Sequence, residues 1–178
     1  MKKSITLAIV IGLIAVLSAC ATPATTSKGS TPPAAPVATT APVVPKVLTA
    51  ADVTTALVGA ISTVKSTVVY TEATDSNKLL GRPNGYTSKT AFADSRVSAA
   101  DVEYSKTDDI ERGGSVEVYP TAAGAEARSK YLQAIFAAAP MFGIEYHYLN
   151  GGILVRVTGN LTPAQADAYK GVVAGLTS

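Results

Sequence analysis

Apolar positions divide this chain into three stretches. An almost unbroken apolar run extends from Ile5 to Leu17, residues 21 to 47 hold few large apolar groups, and from residue 48 onward apolar and polar positions recur with helix and strand periods. Thr49 is a good N-cap with Asp52 three residues on, and Val53, Leu57, Ile61 and Val64 are spaced as one buried stripe, which predicts a first helix. Thr67 to Thr71 is β-branched and aromatic and reads as a strand. Arg82, Pro83, Asn84 and Gly85 form a turn signal, with a strand from Tyr86 to Ala93 beyond it. Asp94 to Gly113 is polar, acidic and without clear period, as a surface loop would be.

The second half is more regular. Val116 and Val118 alternate with Glu117 in Ser115 to Tyr119, the pattern of a half-buried strand that Pro120 ends. Thr121 caps a helix running to about Ala139, where Pro140 stops it, with Ala127, Tyr131, Leu132 and Ile135 toward the core. Ile144 to Leu149 and Ile153 to Val157 flank Asn150 and Gly151, the pair that type I′ hairpins favour. Thr162, Pro163 and Gln165 supply cap, first helical position and capping-box partner for a last helix burying Tyr169, Val172, Val173 and Leu176. The expected fold is α+β in the order αβββαββα: an antiparallel sheet with the helices stacked on one face.

Composition changes the picture at the N-terminus. Lys2 and Lys3, the apolar run and Leu17-Ser18-Ala19-Cys20 make up a lipoprotein signal, so residues 1–19 are expected to be removed and Cys20 to carry a diacylglycerol. The run is too short to span a bilayer, which takes about 20 residues. Two acyl chains anchor stably where one does not. The expected location is therefore the extracytoplasmic face of the cell membrane, with Cys20 as the lipidation site. In residues 21–47, Pro, Thr and Ala fill 18 of 27 positions. Residues 20–47 read as an extended tether, with a reach on the order of 80 Å at about 3.1 Å per residue. Residues 48–178 are one domain.

Charge and candidate chemistry then narrow the function. Without Lys2 and Lys3 the 15 basic residues become 13 against 13 acidic ones, and neither nucleic acid nor an anionic headgroup surface is implied as a partner. Cys20 is the only cysteine, so no disulfide is available. Ser62-Thr63-Val64-Lys65 spells SxxK, but no SDN or KTG follows. His147, the only histidine, shares a strand face with Glu145, and no third metal ligand accompanies them. Asp101, Glu103, Asp108, Asp109 and Glu111 do not follow EF-hand spacing. Gly81, Gly85, Gly151 and Gly152 match no phosphate-binding motif and read as turn glycines. Tyr86, Tyr119, Tyr146 and Tyr148 are the candidate binding residues, since tyrosine combines contact area with a polar tip; the competing reading packs them in the core.

The stretches LLGRPNGYTSKTAFADSRV, IERGGSVEVYPTAAGAEARSKYLQAI and YHYLNGGILVRVTGNLTPAQADAY resemble small lipoproteins of Gram-positive bacteria, especially actinomycetes. That resemblance implies a cell-surface lipoprotein with a compact α+β domain and carries over no catalytic residue or cofactor. The leading expectation is a non-catalytic module binding an envelope protein or wall polymer. The alternatives are an exclusion or immunity lipoprotein, and a small metal-dependent hydrolase using Glu145 and His147.

Overall fold

In the computed structural model, which describes residues 47–177, helix α1 (Ala50–Ala60) starts where its cap places it. The Thr49 hydroxyl accepts from the Asp52 amide, and the Asp52 carboxylate accepts from the Thr49 amide. The helix stops short of Val64. Ile61 takes extended backbone at the C-cap, and the β-branched residues after it favour a strand, so Val64 opens β1 (Val64–Val69) rather than closing the helix. Ser62 therefore lies in a turn and Lys65 in a strand, which removes the helical spacing an SxxK pair requires.

The remaining strands are β2 (Ser88–Asp94), β3 (Gly113–Val118), β4 (Glu145–Asn150) and β5 (Ile153–Thr158), with α2 (Ala122–Ala138) and α3 (Pro163–Ala174) completing the order αβββαββα. They form one antiparallel five-stranded sheet in the order β1-β2-β3-β5-β4. The 82–85 turn closes through Gly85 N–H to Arg82 C=O, with Asn84 at φ 62° in the position where a type II turn needs it. The expected loop from Asp94 to Gly113 gives its two end residues to β2 and β3; residues 95–112 between them are mostly surface, with two short 3₁₀ turns and one buried residue, Val102.

The β4–β5 hairpin turns one residue later than its sequence suggests. Asn150 pairs with Ile153, so Gly151 and Gly152 are the central residues, and only Gly151, at φ 52°, has left-handed backbone. A glycine at the first central position is what a type II′ turn requires. Asn150 instead donates from its side chain to the carbonyls of Val173 and Leu176 at 2.8 and 2.9 Å, closing the end of α3.

Helices α1 and α3 pack together on one face over Phe92, Val116, Val118, Val155 and Val157. Phe92 and Tyr169 stack there at 5.5 Å, and the Tyr169 hydroxyl donates to Asp94. Helix α2 departs from the expected common stacking: it lies across the other face, over β4 and β5. The physical reason is its inward side, which consists of Ala125, Ser129 and Leu132 with Arg128 beside them, while Ala127 and Tyr131, expected in the core, are exposed. This side matches a polar sheet face. The 70–86 segment closes the rest of that face through Tyr70, Leu80 and Tyr86.

Candidate functional site

Pairing alternation places Lys89, Ala91, Ser115, Glu117, Leu154, Arg156, Glu145 and His147 on the α2 face. Glu117 was expected on the solvent side of a half-buried strand; it is fully buried, because β3 is the central strand and its second side is covered as well. Its carboxylate accepts from Arg156 Nη1 at 3.1 Å, Arg128 Nε at 3.3 Å and the Tyr119 hydroxyl at 2.9 Å. Arg156 also grips Glu145 side-on, Nε to Oε2 at 2.8 Å and Nη2 to Oε1 at 2.7 Å. Two carboxylates and two guanidinium groups thus share one buried layer, with their formal charges balanced.

His147 extends this layer to α2. Its Nε2 lies 3.0 Å from Glu145 Oε2, and its Nδ1 lies 2.9 Å from Ser129 Oγ. An ionised carboxylate only accepts, so Nε2 carries the proton, and in the neutral ring Nδ1 accepts from the Ser129 hydroxyl. Burial alone would raise the Glu145 carboxyl; hydrogen bonds from His147 and Arg156 and the Arg156 charge hold it below its ordinary value. Burial pushes the Tyr119 hydroxyl up, and the Glu117 charge adds to it. The connectivity Ser129–His147–Glu145 is that of a nucleophile, base and carboxylate. Its setting is not reactive: Ser129 is buried on the inward side of α2, and the Glu145 charge is matched by Arg156.

A cleft of about 480 Å³ opens beside this layer, lined by Glu145, Arg156, Thr158 and Asn160 together with Phe136, Pro140, Phe142 and Ile144. Phe142 is 67 % exposed and Ile144 61 %. They follow α2, whose end at Ala138 turns the chain outward through Pro140. Neither Ser129 nor His147 lines the cleft. A larger groove of about 540 Å³ runs between the start of α2 and the 79–85 turn, past Tyr119, Pro120 and Tyr131.

The four tyrosines do not form a shared outer surface. Tyr86 and Tyr119 are buried and meet edge to face at 5.8 Å, and the Tyr86 hydroxyl donates to the buried Asp75. Tyr146 and Tyr148 lie on the opposite sheet face, half-buried against the α1–α3 core, with the Tyr146 hydroxyl donating to Leu161 C=O. A hydroxyl with a buried partner and a ring in the core is what packing selects. Burial raises the Tyr148 hydroxyl to about 12, with Asp167 and Tyr146 adding to it. Among the described residues no group of three or more His, Cys, Asp and Glu side chains could hold a metal ion, and no helix is long and apolar enough to cross a membrane. Cys20 and the tether, apart from Val47, lie outside the described residues.

Sequence reasoning found Glu145 and His147 but missed Glu117, Arg128, Ser129 and Arg156. One signal was available: the hairpin and the alternation together put Arg156 on the same face as Glu145 and His147. No protein family, no curated protein and no solved structure matches this chain.

Proposed function

We propose that this protein is a binding module at the extracytoplasmic face of the cell membrane, anchored by lipid on Cys20 and held off the bilayer by its Pro/Thr/Ala-rich tether, and that it binds an envelope component without transforming it. The observation that carries the reading is the cleft, whose lining combines exposed Phe142 and Ile144 with the paired Arg156 and Glu145. Aromatic side chains left in water beside a concave surface mark a contact site. The groups able to do chemistry nearby are engaged with one another, which favours binding over turnover.

Saturation binding of the purified full-length lipoprotein to isolated cell envelopes tests this directly. Binding that saturates and is lost in Phe142→Ala supports the module; absent binding, or binding indifferent to Phe142→Ala and Ile144→Ser, overturns it. For the anchor, Cys20→Ser should abolish lipid labelling and release the protein from the membrane fraction, whereas retention would refute it.

A further inference from the structure

We propose that the cleft beside β4 and β5 is a subsite for a neutral sugar ring of a surface polysaccharide. This deepens the binding-module reading and rests on it. A pyranose presents two kinds of surface, an apolar C–H face and an equator of hydroxyls that each donate and accept. The cleft offers both. Phe136, Phe142 and Ile144 supply apolar lining, and the cleft's volume of about 480 Å³ falls within the range of roughly 300–1,000 Å³ in which small-molecule sites lie.

The polar part of the lining keeps donors and acceptors of both kinds. Arg156 has five N–H donors and gives three of them to Glu145 and Glu117, leaving two uncommitted among the described residues. The Thr158 hydroxyl accepts from the Asn160 amide and keeps its own proton to donate. Asn160 donates from Nδ2 to Glu111 C=O, and its side-chain oxygen remains an acceptor. A purely apolar occupant would leave these groups dry and unpaired, which costs about 1–3 kcal/mol for each.

Charge decides between sugar classes. Arg156 is already matched by Glu145, and Glu111 lines the cleft as well, so the surface that meets a ligand is on balance negative. Phosphorylated and uronic acid units meet repulsion there. Neutral hexose units do not.

The test uses full-length lipoprotein in detergent and a panel of neutral tetrasaccharides in gluco, manno and galacto configurations, with uronic acid and phosphorylated counterparts beside them. Saturation-transfer NMR should show at least one neutral member binding with contacts at its C–H face. Its affinity should fall about tenfold in Phe142→Ala, a readily accommodated change at an exposed site, and recover in Phe142→Tyr. Preference for the charged counterparts, or neutral binding insensitive to Phe142→Ala, would overturn the assignment. If no neutral sugar binds while envelope retention still depends on Phe142, the sugar class is wrong and the module stands, with a protein partner indicated. If both fail, both readings fall.

Discussion

Replacing Glu117 by leucine should be among the most damaging single changes in this domain. The substitution nearly conserves volume, so little of its effect comes from a cavity. It removes the acceptor of three donors at once: Arg156 Nη1, Arg128 Nε and the Tyr119 hydroxyl. Arg156 retains Glu145, but Arg128 loses the carboxylate it is paired with, and the covered face is left with one cation in excess. Removing one partner of a buried ion pair costs about 3–5 kcal/mol. Set against a total stability of roughly 5–15 kcal/mol, that is a large share. With a urea slope of about 1–3 kcal/mol per molar, the unfolding midpoint should fall by about 2 M, followed by far-ultraviolet circular dichroism since the chain has no tryptophan. Glu117→Gln keeps the shape and one acceptor and should lose less. Adding Arg128→Met to Glu117→Leu should recover part of the deficit, because the stranded cation goes with it. A loss below about 1 kcal/mol in the single variant, or strict additivity in the double, would refute the reasoning.

Three further outcomes are expected. Burial would raise Asp94, but hydrogen bonds from Arg96 and Tyr169 lower it from 3.8 to about 2; the unfolded chain then binds more protons, so this contribution is complete above pH 4 and is lost as pH falls toward 2. It amounts to about 2 kcal/mol, and an Asp94→Asn variant whose acid unfolding curve parallels the parent's would exclude it. Gly114→Ala puts a methyl group into the Arg156 carbonyl oxygen and the Phe92 ring, so the melting temperature should drop by several degrees for a loss of about 1–3 kcal/mol, and an unchanged melt would contradict the close approach of β3 and β5. Asn150→Ala withdraws two donors from the α3 terminus, costing about 1–2 kcal/mol, and should speed amide exchange in the last turn; unaltered protection there would count against the cap.

What could be read in advance was local. Thr49 with Asp52, Thr162 with Gln165, and the stops at Pro120 and Pro140 lie within a few residues of what they act on, and the structure uses them as expected. The buried charge layer was not local. Glu117 meets Arg156 across 39 positions and Arg128 across 11, and an alternating strand reads its polar residues as wet unless something is known to cover them. Helix α2 is that cover. Its inward side carries Ser129, with Arg128 at its edge, so apolar periodicity pointed to Ala127 and Tyr131 on the wrong side. The hairpin shows a milder failure: moving the turn by one residue shifts the pairing by two along the partner strand, which preserves the faces while changing the neighbours. The tyrosines were ambiguous in kind, since the same ring suits a contact surface and a core.

Strand β1 closes one side of the sheet, and its pairing with β2 slips between Ser66 and Val68 while the lysine at 65 stays in water. A free strand is ordinarily an invitation to any neighbour with a free strand of its own. The slip twists this one out of line and the lysine sets a charge beside it, both of which discourage a second chain from adding to the ladder. Copies crowded side by side on a surface would meet at that border and stay separate, because the border itself is ill-suited to being extended.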